Sequence, residues 1–137
     1  MPLQLEIVTP ERKIFSAAVE NVYLPGADGE LGILPEHAGL VTALKAGELH
    51  YLHNGVKTTL AIGSGFAEVS QKKVVVLTDS ALGEAEIDEA TAEAAIKRAE
   101  EALASIDHSA DAEEVAHLQS IIAQSAVALH FKRKLRH

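Results

Sequence analysis

The sequence predicts an all-β N-terminal sandwich followed by an antiparallel two-helix hairpin, and three observations lead to that architecture. Between Tyr23 and Leu49, Gly26, Gly29, Gly32, Gly39 and Gly47, with Pro25 and Pro35, divide the chain into short aliphatic runs. Further on, Asn54-Gly55 separates two runs of strand character. From about residue 85 the texture changes, and alanine and glutamate replace glycine and proline. The first two features mark short strands with forced turns, because glycine supplies positive φ cheaply and proline fixes φ while removing a donor. The third marks helix. The change in texture sets a β-domain over 1–84 and a helical domain over 85–137.

Residues 3–8 alternate, with Leu3, Leu5 and Ile7 on one face and Gln4 and Glu6 on the other, the period of a half-buried strand. Thr9-Pro10-Glu11 turns the chain, and 14–17 and 19–24 are short strands. A shaped loop projects at Gly26–Glu30, followed by strands at 31–34 and 40–44, with Pro35 at a strand end or edge because it cannot donate to a ladder. Runs 49–53 and 56–62 flank Asn54-Gly55, a hairpin signal because both turn positions need positive φ. Gly63-Ser64-Gly65 breaks the chain before 66–69, and Gln71-Lys72-Lys73 turns into 74–77. The unbroken apolar run Val74-Val75-Val76-Leu77 belongs at the centre of the sandwich. Many short strands at close spacing argue for an antiparallel sandwich or flattened barrel.

In the C-terminal third, Asp88 is a helix N-cap, with Glu89 and Glu93 near the positive end of the dipole. Ala92, Ile96, Ala99, Leu103 and Ile106 form a narrow seam for a second helix. After a polar connection over 107–111, Val115, Leu118, Ile122, Ser125 and Leu129 form the answering seam. One seam is rich in alanine and the other contains a serine. Burying a large aliphatic side chain is worth about 1.5–3 kcal/mol and alanine much less, so the hairpin should be weakly held.

Charge adds a second feature to the hairpin. Residues 86–114 carry Glu86, Asp88, Glu89, Glu93, Glu100, Glu101, Asp107, Asp111, Glu113 and Glu114 against Lys97 and Arg98, whereas 132–136 read Lys-Arg-Lys-Leu-Arg. Folded back, the basic end reaches Glu86, Asp88 and Glu89; extended, it is free to meet another acidic surface. The plain alternative is a solvated helix end whose cations suit the dipole.

Composition excludes several function classes. At 137 residues with 47% apolar content the chain can bury a core, but aromatics are 4%, so the core is aliphatic. A formal charge of −8 argues against a nucleic-acid binder. Without cysteine there are no disulfides or thiolate metal sites. The N-terminal run contains Glu6 and has no basic leader, so no signal peptide is expected, and no run approaches the roughly 20 apolar residues of a membrane span. Any membrane association goes through a partner.

Catalytic and metal sites are not expected. His50 and His53 lie three apart on one strand and point to opposite faces, and the other histidines lack ligand spacing. Ser64 lies between two glycines, but a nucleophile elbow leads into a helix and a strand follows here.

The stretch LPGADGELGILPEHAGLVTALKAGEL resembles the signature of the epsilon subunit family of bacterial and chloroplast rotary ATP synthases, whose mitochondrial counterpart is called delta. It departs at Gly39, where the family usually has proline. The resemblance also takes in Gly65-Phe66-Ala67-Glu68-Val69 and the helical hairpin. It implies a sandwich of about ten strands and a non-catalytic rotor subunit bound to gamma and seated on the c-ring. It further implies a helical domain able to extend toward the catalytic alpha and beta subunits and restrain ATP hydrolysis. Carried over by position, Glu30, with Asp28 and Gly29 beside it, is expected to face the c-ring loops. His37 lies in the same signature and is a candidate interface residue, with a hydrogen-bonded turn histidine as the equal alternative. The basic tail of Lys132, Arg133, Lys134 and Arg136 is the candidate for contacting acidic surfaces of the catalytic subunits. Some family members bind ATP on the hairpin. Here Ile87-Asp88-Glu89-Ala90-Thr91-Ala92 keeps the frame through Ile87, Asp88 and Ala92, but Thr91 replaces the motif arginine, and residues 112–129 contain no Lys or Arg. No cofactor is therefore expected, and Asp88 is read as an N-cap. The implied location is peripheral, on the cytoplasmic face of a bacterial inner membrane or the stromal side of a thylakoid. Two rival classes are a free-standing ligand-binding sandwich and an ATP sensor.

Overall fold

The computed structural model describes residues 3–35, 38–106 and 111–134. Ten strands come first: β1 (Leu3–Val8), β2 (Lys13–Val19), β3 (Asn21–Gly26), β4 (Gly29–Ile33), β5 (Leu40–Leu44), β6 (Gly47–His53), β7 (Val56–Ile62), β8 (Gly65–Val69), β9 (Lys73–Thr78) and β10 (Ala81–Leu82). A 3₁₀ turn at Glu84–Glu86 leads to α1 (Glu89–Ala104) and α2 (Ala112–Lys134).

The strands form one sheet, ordered β10-β7-β6-β3-β5-β8-β9-β1-β2, with β4 paired to β3. It curls into a nearly closed sandwich. The pairings are antiparallel except β1–β9, which is parallel with Leu5 opposite Val74. Alternation drives closure: Leu3, Leu5 and Ile7 of β1 point inward and are fully buried, together with Val22, Leu24, Leu49, Val74 and Val76. Tyr51 is the buried aromatic of this core and stacks at a tilt on Phe15, with ring centroids 4.5 Å apart. Turns take the residues expected of them. Asn54 and Gly55 have φ of 52° and 78° between β6 and β7. At Gly65 a Cβ would lie 1.9 Å from the Leu77 carbonyl oxygen, so only glycine lets β8 approach β9 this closely.

Two expectations need correction. Strand β9 lies mid-sheet but is buried on one face only: Val74, Val76 and Thr78 point inward, while Leu77 is 53% exposed. A continuous apolar run reads as a strand covered on both faces, and here, among the described residues, the outer face is left open at Leu77 and only half-buried at Val75. The shaped loop at Gly26–Glu30 is a tight hairpin, with Gly26 paired to Gly29 and Pro25 to Glu30.

The helices lie against each other, and α2 lies against the outer face of β7 and β6. Asp88 caps α1 as expected, its Oδ1 accepting from the Ala90 and Thr91 amides at 2.9 and 3.3 Å. Both seams face inward, with Ala99 and Leu129 buried and the other seam positions half-buried. The connection over 107–110 lies outside the described residues. Contact with the sheet is a small cluster of Ala61, Ile87, Ala128 and Phe131, flanked by Leu82 and Val127.

Candidate functional site

The side chains that chemistry would use are spread over four places. The first is the tip of the β3–β4 hairpin. Its base is tied to β5 by the Ala27 amide donating to Ala43 O at 3.0 Å and the Lys45 amide donating to Pro25 O at 2.9 Å. Asp28, Gly29 and Glu30 are exposed at the tip, and Gly29 has φ of 136°. The tip is an acidic protrusion with its base tied to β5. His37 lies outside the described residues.

The second is an apolar row that sequence reasoning missed. On the outer face, Ala43 of β5 stands opposite Phe66 of β8, Phe66 opposite Leu77 of β9, and Leu77 beside Val8 of β1. Phe66 and Leu77 are more than half exposed, and Val41 lies on the same face of β5 at 72%. Single exposed apolar residues are ordinary, but four in register across four strands make a contiguous patch of the kind that marks an interface. The signal was present in Val74-Val75-Val76-Leu77, whose second apolar face is left partly open by the described residues.

The third is a cavity of about 340 Å³ between the sheet and the helices, where Ile87, Asp88, Thr91 and Ala92 meet Gln124, Ser125 and Ala128. The motif residues do converge here. The charged groups lining it are Glu86 and Asp88, both acidic, and Asp88 is committed to capping α1. No cation lines it.

The fourth is the basic end of α2. Lys132 Nζ donates to the Glu84 carbonyl at 3.0 Å and lies 3.3 Å from its carboxylate. Arg133 Nε lies 3.6 Å from Glu89, and its guanidinium also pairs with Glu93. Lys134 Nζ meets Glu48 of β6 at 2.6 Å. Of the partners expected from sequence, Glu89 is engaged, whereas Glu86 pairs with Arg12 and Asp88 is the cap. Arg136 lies outside the described residues. The basic end thus ties α2 to α1, to the linking turn and to the sandwich.

Elsewhere, His50 and His53 point to opposite faces. His50 Nδ1 lies 2.7 Å from Thr59 Oγ1, and His53 Nδ1 lies 2.7 Å from the Ala18 carbonyl oxygen, its ring edge-on to Phe15. Burial and the neighbouring Lys57 cation hold the His50 imidazole below its ordinary pKa, against the opposing pull of Glu48 and Glu30. Ser64 donates to Asp79 at 3.2 Å in a turn. Among the described residues no group of three or more metal-ligating side chains converges.

A family model described as the beta-sandwich domain of the ATP synthase delta/epsilon chain matches residues 2–84. The ATP synthase epsilon chain of Herpetosiphon aurantiacus is 50% identical over 103 residues, covering 75% of this chain and 76% of that one. That of Desulforamulus reducens is 51% identical over 100 residues, covering 73% and 76%. Among solved structures, a chain of the Euglena gracilis mitochondrial ATP synthase (OSCP/F1/c-ring, rotational state 1) superposes with a TM-score of 0.73 at 22% identity, over 99% of this chain and 82% of that one. A chain from the central stalk and c-ring of the Tetrahymena thermophila mitochondrial ATP synthase gives 0.61 at 9% identity, over 96% and 97%. At those identities the two superpositions show a shared fold.

Proposed function

The chain belongs to the ATP synthase delta/epsilon family, and from that premise we propose that it couples the gamma subunit to the c-ring and restrains ATP hydrolysis through its helical hairpin. As an epsilon-type subunit it is a non-catalytic component of the central stalk. The observation that carries the coupling role is a pair of unlike surfaces on one stiff body. The apolar row of Val8, Leu77, Phe66 and Ala43 suits a dry protein interface and takes gamma. The acidic tip at Asp28, Gly29 and Glu30 suits polar loops and faces the c-ring. Close packing of the core behind both surfaces lets a load on one reach the other with little deformation.

The hairpin supplies regulation. Seated on β7 and β6, its basic end is satisfied internally by Glu84, Glu89, Glu93 and Glu48. Released, Lys132, Arg133, Lys134 and Arg136 are free for acidic surfaces of the catalytic alpha and beta subunits. We do not assign nucleotide sensing to the cavity over Asp88, because the charged side chains lining it, Glu86 and Asp88, are both acidic and would repel a triphosphate. No helix among the described residues is long and apolar enough to cross a membrane. The chain's relatives are ATP synthase epsilon chains, and we place the subunit at the membrane through that complex, on the cytoplasmic or stromal side.

Reconstitution with gamma and with c-rings separates the two surfaces. Phe66→Glu with Leu77→Glu should abolish capture of gamma while the folded chain keeps its circular dichroism. Asp28→Lys with Glu30→Lys should leave gamma capture intact and lose seating on the c-ring. Full gamma binding by the first variant, or full c-ring seating by the second, would refute the assignment of that surface.

A further inference from the structure

The end of α2 rests beside a partly buried histidine. Along the outer face of β6, Glu48 and His50 stand two residues apart, which places them side by side on a strand. Glu48 is the sheet's anchor for Lys134 and is only 17% exposed at its side chain. His50 lines an open cavity of about 420 Å³ with Tyr23, Glu30, Leu52 and Lys57. The charged and titratable groups facing it are Tyr23 from β3, Glu30 from β4, Glu48 from its own strand, Lys57 from β7 and Lys134 from α2. Thr59, opposite it on β7, holds Nδ1.

We propose that His50 makes the seat of the hairpin proton-sensitive: once protonated, its imidazole competes with Lys134 for Glu48 and favours release of the α2 end. The inference needs the two-state hairpin of the reading above but not its effect on hydrolysis. The direction follows from linkage. While α2 is seated, the Lys134 cation lies close by and makes the imidazole harder to protonate, offsetting part of the opposite pull of the Glu48 carboxylate it engages. Release removes the cation and frees the carboxylate, so the released state binds the proton more tightly. The seated state therefore holds fewer protons, and its advantage grows with pH and is lost as pH falls through the window between the seated and released values. Histidine titrates in the range where such a window has physiological meaning.

The test uses the full-length chain, free of cysteine, with spin labels on cysteines introduced at Lys72 on the sandwich and Gln119 on α2. The ratio of released to seated populations should rise several-fold between about pH 8 and about pH 5.5. His50→Gln, which keeps a side chain able to bond Thr59, should flatten the profile. Separately, an NMR titration of the His50 ring in the unlabelled chain should give a higher midpoint in Lys134→Gln than in wild type. An unchanged pH profile in His50→Gln overturns the inference. So does an identical His50 midpoint with and without the Lys134 charge. Because neither readout involves ATP hydrolysis, the inference stands or falls apart from the restraint assigned to the hairpin.

Discussion

The sandwich core and the hairpin seat are built from different material. The sandwich encloses Leu3, Leu5, Ile7, Val22, Leu24, Ile33, Leu49, Val74 and Val76 at 1% exposure or less, contributed by strands from both ends of the β-domain. The seat joins the helices to the sheet through Ala61, Ile87, Ala128 and Phe131, two of them alanine. A large apolar side chain contributes about 1.5–3 kcal/mol on full burial, so Ile87 and Phe131 supply most of the seat's apolar attraction. The ion pairs of Lys132, Arg133 and Lys134 add on the order of 0.2–1 kcal/mol each, because the cations and the Glu84 and Glu93 carboxylates are reached by water, although Glu48 is more enclosed. The difference teaches that one chain joins a densely packed body to an appendage held on it by far less apolar contact. A few kcal/mol is within reach of a partner that prefers the released state.

Breaking the comparison at its strong end gives the largest effect. Leu24→Ala in the sandwich should cost about 2–5 kcal/mol of global stability and lower the melting temperature of the whole chain. The equivalent cut at the seat, Phe131→Ala, should unseat the hairpin and expose α2 to rapid hydrogen exchange while the sandwich melts near its wild-type temperature. If Phe131→Ala lowers the sandwich's melting temperature as far as Leu24→Ala does, the two regions are one cooperative unit and the comparison fails.

Much of this division could be read from sequence, because local chemistry determines it. The Asn54-Gly55 turn, the Asp88 cap, the inward alternation of β1 and both helix seams depend on residues a few positions apart. The missed features depend on distant partners. Lys134 meets Glu48 across 86 residues of chain, and no spacing rule pairs a helix end with a mid-chain strand. The parallel β1–β9 pairing joins the two ends of the β-domain in the same way. β10 is only two residues, Ala81–Leu82, too short for any period to show. Of the apolar row, Leu77 was legible within Val74-Val75-Val76-Leu77, but that run reads as a central strand, and a continuous apolar run does not say which of its faces is covered. The acidic lining of the Asp88 cavity follows from the same loss of arginine that the sequence displays at Thr91.

A smaller effect sharpens the comparison at the cavity between the two regions. Calorimetry with ATP at about millimolar concentration should register no saturable heat, and Thr91→Arg should gain at most one or two factors of ten from a single charged bond. Micromolar binding by the wild type would show that cations beyond the cavity lining reach the nucleotide. It would also give the seat a second source of stability. The basic end has the weakest effect one pair at a time and is read best through salt. Replacing Lys132, Arg133, Lys134 and Arg136 with glutamine should relieve the restraint on hydrolysis, and added salt should imitate the change, as exposed pairs are screened over about 8 Å at physiological ionic strength. Equal restraint by the variant and wild type at every salt concentration would reduce the basic end to a solvated helix terminus.

The division of labour is tested most directly in the assembled ATP synthase, by measuring ATP hydrolysis and the proton pumping it drives with the full chain and with a chain ending at Gly83. The account predicts that the shortened chain, which retains the complete core, the apolar row and the acidic tip, pumps protons at the wild-type ratio per ATP while hydrolysing ATP faster. Pumping lost with the hairpin, or hydrolysis unchanged without it, would contradict the assignment of coupling to the sandwich and restraint to the helices.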